Sequence, residues 1–173
     1  MWNGISLLER TARTALEVTS RVLVIGRSRP SGWPLEDVLF VADETPHLGP
    51  MGGLQTALRH AATVPTHNVL ALACDLPKMT PDGLRWLFDA ASQHQLDHGL
   101  VVLNAGQLEP LFSIYTLSCL PLIESLLAAH RRSLHGLIQA GQFERIAAPA
   151  EIGPMLVNVN TPEDVERLQG EVV

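Results

Sequence analysis

The chain has 173 residues, 46% of them hydrophobic and 17% charged, with a formal net charge of −6. That length builds one domain with a sizeable core, and an acidic balance without any Lys or Arg run speaks against a nucleic-acid backbone as partner. No apolar stretch approaches the roughly 18 residues of a bilayer span, the opening residues carry no secretory pattern, and two cysteines without a spaced framework fit a reducing cytoplasm.

Ile5, Leu7, Leu8, Ala12, Ala15, Leu16 and Val18 recur at helical spacing and predict an amphipathic helix over 5–19. The run 22–25 is short and β-branched, ends at Gly26, and predicts a buried strand. Two prolines and a glycine make 27–35 a loop. A second strand is expected over 38–42, ending at Asp43, then a helix over 52–63. The apolar run 69–74 predicts a strand and 75–79 a loop. Thr80 followed by Pro81 is a cap with proline in the first turn, which starts a helix reaching Gln93. Strands follow at 99–103 and 111–115, helices at 118–130 and 134–140, and a strand at 143–148. Thr161 and Pro162 open the last helix by the same cap-and-proline logic. Strands alternating with helices predict a mostly parallel sheet covered on both faces, with ligands outside the carboxyl ends of the strands.

Asp43 and Asp75 both fall at such ends. A carboxylate at the end of an apolar strand can hold Mg²⁺, a hard ion that takes oxygen ligands and bridges phosphates in nucleotidyl transfer. The plain alternative for Asp75 is a turn aspartate that bonds its own backbone. Gly49, Pro50, Met51, Gly52 and Gly53 lead into a helix, where backbone N–H groups favour an anion and glycines let a ligand approach. The alternative is a bare strand-to-helix turn. Asp43 can bond a base or ribose, or simply be solvated. Asn158 and Asn160 lie on one side of an alternating segment and either bind a polar ligand or shape the turn before Thr161. His94 and His98 stand four residues apart, but at a helix end and without a third ligand, so they read as surface residues. Arg131 and Arg132 read as charges offsetting a helix C-terminus, and Cys74 as buried filler.

The order of these pieces is distinctive. Leu7 to Arg10 is followed by 22–26, by Asp43 with the Gly49–Gly53 turn, and by Cys74, Asp75, Leu76 and Pro77. Then come Glu109, Pro110, Leu111 and Phe112, next Ser133 with Leu134, and last 158–164. Over nearly its whole length the chain resembles the molybdenum cofactor guanylyltransferases, the MobA-like nucleotidyltransferases. The resemblance implies a single domain over 1–173 with a three-layer, Rossmann-like, GT-A-like α/β architecture. It implies an enzyme that moves GMP from Mg-GTP onto the terminal phosphate of molybdopterin and releases pyrophosphate. By that likeness Asp75 would hold the Mg²⁺ and be the catalytic residue. Asp43, with Gly52 and Gly53, would line the nucleotide pocket. Asn158 and Asn160 would lie on the molybdopterin side. A molybdoenzyme or a cofactor-insertion protein would be the partner.

The family opens with a strand and a glycine-rich loop that cradles the triphosphate, and neither has a counterpart here. The chain is therefore expected to be a family member lacking its first strand and that loop. Loss of even one electrostatic donor costs roughly 10²–10³ in rate, so transfer by the chain as it stands is expected to suffer. The strands 22–25 and 69–74 are expected to keep an unpaired edge each or to pair with each other. Two other readings stand beside the transferase: a non-catalytic molybdopterin-binding or delivery protein, and a cytidylyl or sugar-phosphate nucleotidyltransferase.

Overall fold

A computed structural model describes residues 1–2, 4–45, 47–66 and 68–170, apart from the side chain of Pro162. In chain order the elements are α1 (Leu7–Leu16), β1 (Val22–Ile25), β2 (Val38–Val41), α2 (Gly49–Ala61), β3 (Asn68–Leu72) and α3 (Pro81–Ser92). They continue with β4 (Gly99–Asn104), β5 (Gln107–Thr116), α4 (Leu120–Ala128), α5 (Leu134–Ala140), β6 (Phe143–Ala147) and α6 (Pro162–Gly170). Short 3-10 turns occupy Leu117–Cys119 and Gly153–Leu156. Ser6, Thr80 and Ser133 cap α1, α3 and α5, each accepting a hydrogen bond from the backbone N–H three residues on.

The layering follows from period-two alternation. On β3, Leu70 and Leu72 turn to one face and Val69 and Ala71 to the other. On β5, Phe112 and Ile114 share the first face and Tyr115 takes the second. Ala15 of α1 and Leu84, Leu87 and Ala91 of α3 cover the first face. Met51, Leu54 and Leu58 of α2, Ile123 and Leu126 of α4, and Leu134 and Leu137 of α5 cover the second. This is a three-layer α/β fold, helices over both faces of β structure.

Pairing is more mixed than the alternation of elements suggests. β1 pairs β2 in parallel, and β4 pairs β6 in parallel. β5 lies antiparallel between β3 and β4. The cause is a tight hairpin: Ala105 and Gly106 stand at φ 48° and 80°, the left-handed pair that a two-residue turn between antiparallel strands requires. The hairpin also starts β5 at Gln107, ahead of the expected 111. Helix α2 begins at Gly49 rather than 52, because Pro50 is tolerated in a first turn whose N–H groups lack intrahelical partners.

The β structure is divided. β1 and β2 form one two-stranded sheet, and β3, β5, β4 and β6 form a second, four-stranded one in that order. Both belong to the same layering, since α2 packs against β1 and β3 alike, and Val22 joins the cluster that holds Leu70 and Leu72. Of the two expected outcomes, the first is seen: among the described residues β1 has no strand partner besides β2, and β3 none besides β5. The residues of β3 are accordingly only partly buried, whereas Leu100, Val101 and Val102 of β4 are fully buried.

Candidate functional site

Asp43 stands two residues past β2, against the residue that ends β1. Gly26 donates its N–H to Val41 O at 2.9 Å and turns at φ 80°. A β-carbon on Gly26 would stand 2.8 Å from Asp43 Oδ2, and one on Gly53 would stand 3.9 Å from Oδ1. Only glycine at 26 leaves the carboxylate room. Asp43 Oδ1 is buried and has no hydrogen-bond partner. Buried polar atoms are almost always satisfied, so this oxygen is an acceptor awaiting a donor. Thr56 ties the first turn of α2 to the same corner, donating to Gly52 O at 3.1 Å and accepting from Glu44 N–H at 3.3 Å. Gly53 thus faces the Asp43 carboxylate. Gly52 turns away from it, because a β-carbon there would stand 2.6 Å from Leu48 Cβ.

Asp75 lies three residues beyond β3, in a turn gripped from several sides. Val159 N–H donates to Asp75 O at 2.9 Å. From α1, Arg10 Nε donates to Pro77 O at 2.5 Å and Thr11 Oγ1 donates to Cys74 O at 3.4 Å. Asp75 Oδ1 is a second buried oxygen without a partner. The structure therefore brings Asp75 and the 158–160 segment together, with Asn158 and Asn160 exposed on either side of the buried Val159. Asp164 fixes that segment. Its Oδ2 accepts from the N–H groups of Asn160 and Thr161 at 3.2 and 3.1 Å, while Thr161 Oγ1 accepts from Asp164 N–H at 3.1 Å. This reciprocal box at the start of α6 explains why the sequence reads Thr161, Pro162, Glu163, Asp164. Those bonds hold the Asp164 carboxyl below its ordinary range.

Asp43 with Gly53, and Asp75 with 158–160, form two half-sites, and the division between β1 and β3 lies between them. A partly buried Asp75 with an unpartnered carboxylate oxygen fits a hard cation. Among the described residues there is no group of three or more metal-ligating side chains, so a cation here would need oxygen ligands from a substrate phosphate, as Mg²⁺ normally does.

Three residues given no role from sequence belong to this end of the molecule. Arg27, next to Gly26, reaches Cys74 electrostatically across the division. Glu109 lies on β5, and the Asn104 amide at the end of β4 interacts with its carboxyl. Glu109 also belongs to the Glu109–Phe112 motif, whereas Arg27 and Asn104 have only their positions at strand ends. Cys74, expected to be buried, is exposed, because β3 ends at Leu72 and the chain has already begun to turn. Partial burial of its sulfur and the Asp75 charge still push the thiol up. His94 and His98 serve structure: His94 Nδ1 is 3.9 Å from Glu144, and His98 Nδ1 accepts from Gln142 N–H at 2.9 Å. Arg132 donates to His47 O at 3.2 Å rather than to a helix end. A surface cleft of about 490 Å³ between the end of α1 and α3, lined by Glu17, Val18, Thr19, Arg85, Phe88 and Asp89, is remote from these strand ends. No helix among the described residues is long and apolar enough to cross a membrane.

Residues 1–146 match the model of the MobA-like NTP transferase domain. A protein of Opitutus terrae named probable molybdenum cofactor guanylyltransferase is 30% identical, over 95% of this chain and 82% of its own length. Among solved structures, molybdopterin-guanine dinucleotide biosynthesis protein A of Archaeoglobus fulgidus superposes with a TM-score of 0.79 at 19% identity, over 99% of this chain and 88% of that one. The 2-C-methyl-D-erythritol 4-phosphate cytidylyltransferase of Thermus thermophilus superposes with a TM-score of 0.67 at 15% identity, over 99% and 91% of the two chains. Both structures share the fold. The chain belongs to the MobA-like NTP transferase family.

Proposed function

We propose that this member of the MobA-like NTP transferase family serves molybdenum cofactor maturation, taking GTP and molybdopterin as substrates. In the reaction an oxygen of the acceptor's terminal phosphate bonds the α-phosphorus of GTP, the α–β bridge breaks, and pyrophosphate leaves. The observation that carries it is the pair of half-sites: the glycine-walled Asp43 on one side and Asp75, locked to Val159, on the other. Asp43 Oδ1 offers a bare acceptor to the N–H donors of guanine. Asp75 is the residue that would hold Mg²⁺, which when bound would offset charge on the phosphates. The exposed Asn158 and Asn160 would bond the acceptor, held in place by the Asp164 box. Arg27, at the end of β1, adds a cation on the phosphate side.

The test is release of pyrophosphate from Mg-GTP with molybdopterin, for the chain and for Asp75→Ala. Turnover that needs Asp75 supports the proposal. Molybdopterin and Mg-GTP that neither turn over nor bind sink it. One observation favours a second reading, a non-catalytic molybdopterin-binding protein: the 153–160 segment is well tied down, while the β structure is interrupted between β1 and β3. That protein would bind molybdopterin without regard to GTP, and Asp75→Ala would change little. Competition between GTP and CTP separates guanylyl from cytidylyl transfer.

A further inference from the structure

β5 is interrupted where it passes the site. Val101 of β4 faces Ser113, but the next residue, Val102, faces Glu109. Residues 110–112 are thus a bulge on the β4 side, while Phe112 still pairs with Leu72 of β3. Bulges of this kind re-aim side chains and are common beside active sites. The fully buried Ser113 closes this one: its Oγ donates to Glu109 O at 2.7 Å and accepts from Val102 N–H at 3.4 Å. The tie uses the backbone of Glu109, so its side chain is left for another purpose.

Ala73 N–H donates to Leu111 O at 2.8 Å, two residues before Asp75 on one chain segment and two after Glu109 on the other, which brings Glu109 to the end of β3 where Asp75 turns away. The two carboxylates interact, and the Asn104 amide favours the charged form of Glu109. Partial burial and Asp75 push the Glu109 carboxyl up. The segment after β6 spans the same strand ends. A β-carbon on Gly153 would stand 3.2 Å from Asn104 Oδ1, and Val159 bonds Asp75. The 153–160 segment thus touches both Asn104, at the end of β4, and Asp75. Leu111, two residues along β5 from Glu109, is exposed.

We infer that Glu109, carried at the β5 bulge next to Asp75, is an acceptor-binding residue whose carboxylate takes hydrogen bonds from the N–H groups of the pterin while the acceptor phosphate lies at Asp75. This inference rests on the functional reading above. A carboxylate is an acceptor only and repels phosphate, so it selects the nitrogen-rich end of the acceptor. Exposed apolar surface at Leu111 suits the flat ring system beside it.

The test is two separate titrations of the full chain, one with metal-free molybdopterin kept anaerobic and one with Mg-GTP, followed by tryptophan fluorescence. Glu109→Gln is expected to weaken molybdopterin binding roughly ten- to hundred-fold, the loss of hydrogen bonds to a charged group, with GTP binding and melting temperature unchanged. Glu109→Asp, which keeps the charge and shortens the reach, is expected to fall between. Equal molybdopterin affinity in the wild type and in both variants overturns the inference alone, as does a loss confined to GTP. A wild-type chain that binds no molybdopterin overturns the functional reading, and this inference with it.

Discussion

The carboxylate of Asp43 rests against the backbone of Gly26, with 2.8 Å between Asp43 Oδ2 and the place a β-carbon on Gly26 would take. The contact joins the ends of β1 and β2, and it leaves Oδ1 buried without a partner. A substitution at either residue is therefore felt at the same pocket, but for different reasons.

Gly26→Ala would meet both the close contact and a backbone at φ 80°. The left-handed conformation alone costs roughly 1–2 kcal/mol for a residue with a β-carbon. The expected outcome is a lower melting temperature together with weaker GTP binding. Asp43→Asn is near-isosteric and should weaken GTP binding with little change in melting temperature. Equal GTP affinity in the wild type and Asp43→Asn would remove Asp43 from the nucleotide pocket.

Ser113→Ala strips the bulge of its tie and leaves Glu109 O and Val102 N–H without that partner in a buried place. Such a loss costs about 1–3 kcal/mol, and in a chain of this size each kcal/mol lowers the melting point by roughly 2–4 °C. Calorimetry reads it directly. An unchanged melting temperature would mean the bulge is held by other contacts.

The Asp164 carboxyl titrates below its ordinary 3.8 because it accepts backbone N–H bonds from Asn160 and Thr161 and bonds the Thr161 hydroxyl. A carboxylate lowered in the folded state binds fewer protons there than in the unfolded chain. Its contribution is fully present above 3.8 and is lost as pH falls through the lower folded value. The amide signals of Asn160 and Thr161 should thus titrate with a midpoint below 3.8, and Asp164→Asn should show no such titration. A shift centred at or above 3.8 in the wild type would contradict the capping box.

Hydrogen exchange should expose the division of the β structure. Ala73 N–H bonds Leu111 O and Gly26 N–H bonds Val41 O, and amides alternate sides along a strand. The amides of Leu70 and Leu72, and of Leu23 and Ile25, therefore point away from β5 and β2. They are expected to exchange faster than those of Ala71 and Val24, and far faster than those of β4, paired on both sides. Uniform protection along β3 would mean that its second edge is covered in solution.

Much of the three-layer fold can be read from one dimension. Cap residues start α1, α3 and α5 because a side-chain oxygen and a backbone N–H three residues away are local partners, and the alternation on β3 and β5 sorts side chains between faces without reference to distant contacts. The same holds for Asp43 and Asp75, whose positions just beyond strand ends are set by where an apolar run stops, and for Asn158 and Asn160, which alternate with the buried Val159. Pairing direction was less legible. The turn at Ala105 and Gly106 makes β5 antiparallel, and a parallel expectation from alternating elements overlooks one hairpin.

What only the tertiary structure decided is which of those residues share a wall. Gly53 reaches Asp43 whereas its neighbour Gly52 packs on Leu48, because successive helical residues point about 100° apart. Glu109 comes within electrostatic reach of Asp75 because β5 pairs antiparallel with β3 and runs on past its end. The sequence determined the elements, since capping and periodicity act over a few residues. Close approach between residues far apart in the chain depends on packing, and no local pattern encodes it.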